Sequence, residues 1–122
     1  MKRIHLVLAL LMLISIPGIE AAERTGVEGV VIGVTPDYGN IDTDIRVEDL
    51  LAGLGVSRGD TINVAFEGKA FPVYLGNTYS DVPEGDWIAL INPLGKVRIA
   101  RNLGNAAKTL GVQEGDTIKL YK

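Results

Sequence analysis

One phrase occurs twice in this chain and limits what it can fold into. Leu54-Gly55-Val56-Ser57-Arg58-Gly59-Asp60-Thr61-Ile62-Asn63-Val64 returns as Leu110-Gly111-Val112-Gln113-Glu114-Gly115-Asp116-Thr117-Ile118-Lys119-Leu120. At both places a short helical stretch stops at a glycine, where left-handed backbone costs little. Gly-Asp then makes a tight turn, and Thr-Ile-x-Val/Leu alternates as a half-buried strand does. Gly85-Asp86, ahead of Trp87-Ile88-Ala89-Leu90-Ile91, repeats the turn-to-strand step without the helix. Two full copies are too few for a solenoid, so the repetition points to a pseudo-symmetric barrel.

The rest of the pattern agrees. Strands are expected over Val27–Val34, Ile41–Val47, Thr61–Phe66, Ala70–Leu75, Trp87–Asn92, Lys96–Ala100 and Thr117–Tyr121, with short helices over Glu48–Leu54 and Asn105–Leu110. Glu67-Gly68-Lys69 and Pro93-Leu94-Gly95 read as hairpin turns, and Pro72 marks an edge position because proline cannot donate to a ladder. Many short strands with frequent turn signals indicate a mainly β fold, a small β-barrel with one or two short helices.

The chain starts with Lys2 and Arg3, an apolar run from Leu6 to Ile16, the break Pro17-Gly18, and the small residues Ala21 and Ala22. This is the layout of a secretory signal peptide over residues 1–21, with a single domain over 22–122. The run is shorter than the roughly 20 residues that span a bilayer. No cysteine follows it to carry a lipid, so the expected product is secreted or extracytoplasmic. Of 12 basic and 15 acidic residues, removal of Lys2, Arg3 and Glu20 leaves 10 and 14. That acidic balance argues against nucleic acid, whose phosphates call for a basic face, and no basic amphipathic stretch suggests a membrane surface.

The one histidine, His5, lies in the leader, and there is no cysteine. The mature chain therefore cannot build a Ser-His-Asp or Cys-His triad or a common zinc site. Asp42 and Asp44, with Asp37 nearby, invite calcium, but their spacing is not that of an EF-hand loop. Thr35-Pro36-Asp37-Tyr38-Gly39-Asn40 is rich in turn formers and reads as a connection between strands. Trp87 opens an apolar strand and is expected in the core.

Several motifs fall in a known order. Tyr38-Gly39-Asn40 precedes Ile41-Asp42-Thr43-Asp44-Ile45. Later come Thr78-Tyr79-Ser80-Asp81, Gly85-Asp86, the strand from Trp87, and Arg101-Asn102-Leu103-Gly104-Asn105-Ala106-Ala107. From about Gly29 to Leu120 the chain resembles the C-terminal half of the S-adenosylmethionine hydroxide adenosyltransferases, a family that includes the fluorinating enzymes. The resemblance implies a β-barrel, and it implies that Asn40 reads the adenine edge with its amide and that Tyr79 stacks near the base. Arg101 would set a cation against the base, and the Leu103 backbone would meet the base edge. Asp37 stands close to the acid that holds the methionine ammonium in the family, displaced to the position just before Tyr38. Asp44 replaces an asparagine, and Pro93 replaces a serine that grips the substrate carboxylate.

In the family, this half of one subunit meets the catalytic half of its neighbour in a trimer, and S-adenosylmethionine and water give adenosine and methionine. Three functions are open to the half found here. The first is an exported adenosine- or S-adenosylmethionine-binding module without catalysis of its own and without a cofactor. The second is one half of a split hydrolase, completed by a separate catalytic-domain chain. The third is a structural or interaction barrel, alone or as a homo-oligomer. A secreted adenosyl-binding or interaction domain is the favoured expectation.

Overall fold

The computed structural model describes residues 25–122, so the expected leader lies outside the described residues. Seven strands close into one barrel in the order β1-β2-β6-β5-β4-β3-β7. They are β1 (Gly26–Val34), β2 (Ile41–Arg46), β3 (Thr61–Phe66), β4 (Lys69–Leu75), β5 (Trp87–Ile91), β6 (Lys96–Arg101) and β7 (Thr117–Tyr121). Helix α1 (Val47–Leu54) and helix α2 (Ala106–Leu110) complete the mainly β architecture. A 3-10 turn over Tyr79–Asp81 was not expected. Its signal was present, because Thr78 and Asp81 cap it reciprocally.

The Gly-Asp phrase folds the same way three times. Both helices end at a left-handed glycine, Gly55 (φ 65°) and Gly111 (φ 74°). Each following turn then clasps a neighbouring strand through two backbone hydrogen bonds. Gly59 N–H donates to Leu75 C=O at 2.7 Å, and Leu75 N–H donates to Asp60 C=O at 2.9 Å. Gly115 and Asp116 hold Val31 in the same manner, both at 2.8 Å. Gly85 and Asp86 hold Asn102 at 2.6 and 2.9 Å. The three turn glycines have φ of 97°, 96° and 87°, a region open to glycine and strained for other residues. The two full copies end in β3 and β7, which pair with each other antiparallel.

Alternation then sorts the side chains. Ile41, Thr43 and Ile45 of β2, Ile62, Val64 and Phe66 of β3, and Val97 and Ile99 of β6 point inward and are buried. Thr43 is the polar member of this set; its hydroxyl donates to Val97 C=O at 2.8 Å and so costs little to bury. A second apolar cluster, Val82, Ile88, Leu90 and Ala100 with Tyr74 and Tyr79 against it, lies on the opposite, outer face of β5 and β6. The segment from 76 to 86 covers that face, which brings Tyr79 toward β2.

Pro72 needs a correction. The closed barrel has no free edge strand, and β4 pairs with β3 along its length. Leu75 N–H points toward β3, so by alternation the missing Pro72 N–H belongs to the other side. There β4 meets β5 only at Tyr74 and Leu75, beyond the proline. Phe71 and Trp87 bridge the open part of that seam with ring centroids 4.4 Å apart. Trp87 therefore packs against the margin of the core, half-buried rather than enclosed.

Candidate functional site

The connection from β1 to β2 begins the site. Gly39 N–H donates to Thr35 C=O at 2.8 Å, and Thr35 N–H donates to Asn40 C=O at 3.0 Å, so the stretch is a closed turn as its composition suggests. Gly39 has φ 66°, and a β-carbon there would overlap the Asn105 amide. The glycine thus lets the turn press against the start of α2, and Ala107 N–H donates to Gly39 C=O at 2.9 Å. Asn105 caps α2 by accepting from Lys108 N–H at 2.8 Å.

On the far side, Asn102 ties the β6–α2 loop to the covering segment, its Nδ2 donating to Val82 C=O at 2.9 Å. Arg101 is similarly committed. Its Nε donates to Gly85 C=O at 2.8 Å, its Nη1 donates to Thr109 Oγ1 at 3.0 Å, and its guanidinium carbon lies 5.4 Å from the Trp87 ring centre. Leu103, between these anchors, adopts φ 55° and is 81% exposed.

These pieces enclose an open cleft of about 630 Å³, lined by Asp37, Tyr38, Asn40, Tyr79 and the run Arg101 to Asn105. All five residues singled out from the sequence, Asn40, Tyr79, Arg101, Leu103 and Asp37, line it. Turn and site are one structure here, since the turn at 35–40 forms one wall. Asn40 is 7% exposed, and its Nδ2 donates to the Tyr79 hydroxyl at 2.9 Å. Its Oδ1 takes no hydrogen bond from the described residues, and the residue lines the cleft.

Beneath Tyr79 lies a polar group that sequence reasoning missed. Asp42 and Arg98 face each other across β2 and β6. Arg98 Nε and Nη2 donate to the two Asp42 carboxylate oxygens at 2.8 and 3.1 Å. Asn92 Nδ2 adds a donor to the same carboxylate at 3.1 Å. The hydrogen bond to Asp42 is the main cause that holds Arg98 above its ordinary value, and partial burial opposes it. Asp42 falls within the motif that runs from Tyr38 to Ile45, but only the strand register joins it to Arg98, which belongs to no motif.

The carboxylate of Asp44 accepts the Val30 N–H at 2.8 Å, beside an irregularity in β1. No cluster of three or more potential metal ligands occurs among the described residues. Pro93 lies in the β5–β6 turn, where Asn92 Oδ1 accepts from the Leu94 and Lys96 N–H groups, and that turn does not line the cleft.

Comparison with known proteins places this geometry. Residues 29–119 match the SAM hydroxide adenosyltransferase C-terminal domain. A fluorinase from Actinopolyspora mzabensis is 29% identical over 96 residues, covering 77% of this chain and 32% of that protein. An uncharacterized conserved protein from Thermotoga maritima superposes with a TM-score of 0.76 at 31% identity, over 82% of this chain and 37% of its own. A conserved hypothetical protein from Thermus thermophilus gives 0.55 at 30% identity, over 80% and 36%. The chain spans about a third of the length of these relatives. In fold, in motif order and in the match over most of its length, it belongs to the SAM hydroxide adenosyltransferase C-terminal domain family.

Proposed function

We propose that this chain is an exported adenosyl-binding domain that takes adenosine, or the adenosyl end of S-adenosylmethionine, in the cleft and has no catalytic activity by itself. The observation that carries the reading is the convergence of Asn40, Tyr79, Arg101, Leu103 and Asp37 on one open cleft. An amide with a free oxygen can read a base edge, since it carries donor and acceptor together. An aromatic ring beside it supplies a stacking surface, worth about 1–3 kcal/mol per base in single-strand binders. The fixed Arg101 contributes a rigid, cationic wall. Acid–base groups able to split the ligand are scarce, since the mature chain has neither His nor Cys.

Calorimetric titration of the purified mature protein with adenosine and with S-adenosylmethionine tests this. Adenosine is expected to bind in the micromolar range, about −8 kcal/mol. Asn40→Ala should lose most of that affinity while melting as a folded domain. No heat from either ligand would overturn the reading.

A second reading is favoured by the open rim and the short span. Tyr38 is 70% exposed and Leu103 81% exposed at the mouth of the cleft. Such apolar groups suit cover by another chain, and the relatives carry about two thirds of their length outside the matched part. Under this reading the protein is one half of a split hydrolase, with the catalytic half on a separate protein. A marked preference for S-adenosylmethionine over adenosine would support it, and equal binding of the two would count against it.

A further inference from the structure

We infer that Asp81 is a positioning residue for the cleft: it lies outside the lining and holds the turn that presents Tyr79 to the ligand. The inference rests on the adenosyl-binding reading and extends it to a carboxylate that does not line the cleft.

Tyr79 is carried by a segment with little structure of its own. The connection from β4 to β5 spans residues 76–86, and its regular part is the three-residue turn Tyr79–Asp81. A 3-10 turn so short has too few hydrogen bonds to hold itself. Its own are Asp81 N–H to Thr78 C=O at 3.0 Å and a long Val82 N–H to Tyr79 C=O at 3.4 Å. The Tyr79 ring packs against the apolar cluster on β5 and β6. Apolar burial is non-directional, so it keeps the ring near the barrel without fixing its angle.

The Asp81 carboxylate supplies the missing constraint. Its Oδ2 accepts both Asn77 N–H at 2.8 Å and Thr78 N–H at 3.2 Å, the two backbone donors just ahead of Tyr79. A carboxylate on backbone N–H groups makes charge-assisted bonds, stronger than neutral ones. Gly76 leaves room for it, because a β-carbon there would stand 2.9 Å from the same oxygen. Gly76 N–H in turn donates to Ala89 C=O of β5 at 3.0 Å, so the turn is referenced to the barrel wall. Arg58 Nη1 adds a tie to Asn77 Oδ1 at 2.8 Å. From this frame the Tyr79 hydroxyl meets the Asn40 side chain at 2.9 Å. The carboxylate therefore reaches the cleft through the ring. Asp116 offers a matched control, since it accepts Gln113 N–H at 2.9 Å on a turn outside the cleft.

Calorimetric titration with adenosine, run beside thermal melting, tests this. Asp81→Ala should weaken adenosine binding roughly fivefold, the scale of ordering one large side chain on binding. Asp116→Ala should bind as wild type at a similar loss of melting temperature. Asp81→Asn keeps an acceptor oxygen and should bind within about twofold of wild type. In a Tyr79→Ala background, followed by NMR titration because binding is weaker, Asp81→Ala should change affinity no further. In the ligand-free protein, the Asn40 side-chain amide protons should exchange faster in Asp81→Ala and at the wild-type rate in Asp116→Ala. Wild-type affinity in Asp81→Ala, equal weakening by Asp116→Ala, or an added loss in the Tyr79→Ala background would overturn the positioning role while leaving nucleoside binding intact. Wild-type protein that binds no nucleoside would remove the adenosyl reading and this inference together.

Discussion

The turn at Ser57–Asp60 and the turn at Pro83–Asp86 share a backbone but not a use for their aspartates. In the first, Asp60 N–H donates to Ser57 C=O at 3.1 Å, and the Asp60 carboxylate accepts the Ser57 N–H at 2.9 Å. The copy at Gln113–Asp116 has the same pair at 3.1 and 2.9 Å. At Pro83–Asp86 the backbone bond persists at 3.0 Å, but proline has no N–H to offer the carboxylate. Among the described residues the Asp86 side chain has no hydrogen-bond partner. The Gly85 carbonyl instead accepts from Arg101 Nε and so holds one wall of the cleft. Two copies of the device only close the barrel. The third closes it and builds the site.

The largest effects should come from what all three turns share. Gly59→Ala and Gly115→Ala meet no close neighbour: the nearest atom to a new β-carbon is 3.9 Å away at Gly59, and none lies within 4 Å at Gly115. Backbone strain at φ of 97° and 96° then acts alone, and each change should cost about 1–3 kcal/mol. For a domain of this size that lowers the melting temperature by roughly 4–8 °C per kcal/mol. Gly85→Ala should cost a similar amount and should also weaken nucleoside binding, because its turn carries Arg101. Equal binding by Gly85→Ala and Gly115→Ala would remove the functional distinction between the copies.

The next effect separates the aspartates. Asp60→Ala and Asp116→Ala each remove a hydrogen bond to a turn N–H and should destabilise by about 1 kcal/mol. Asp86→Ala removes none and should stay within about 0.5 kcal/mol of wild type. Chemical denaturation of the three variants side by side would show this, and three equal losses would contradict it.

The same contrast explains what the sequence made legible. Repeated Gly-Asp-Thr-Ile phrases report local backbone chemistry, so all seven strands and both helices were placed to within a residue or so. The cleft was legible through family motifs, which happen to fall on the loops that meet there. The pairing of Arg98 with Asp42 was not, because opposite charges 56 residues apart become partners only through register. Pro72 misled for a related reason: proline reports a missing donor, but only the barrel shows which side of the strand needs none. The 3-10 turn at Tyr79 was hidden by its shortness, although its capping pair was in plain view.

The smallest effect is the sharpest test of the comparison. Pro83→Ser gives the third turn the N–H found at Ser57 in the first. The new donor should let the Asp86 carboxylate cap the turn, a gain of about 1 kcal/mol. Loss of proline frees the unfolded chain and costs about 0.4–1 kcal/mol. The two terms nearly cancel, so stability of the single variant should barely move. Coupling should reveal the change. Asp86→Ala, harmless in the wild-type background, should cost about 1 kcal/mol in the Pro83→Ser background, and a double-mutant cycle by urea denaturation would measure it. Zero coupling would mean that the carboxylate is turned away from the cap by something other than the proline. The seam beside Trp87, whose lining includes Asp86, would then be the place to look.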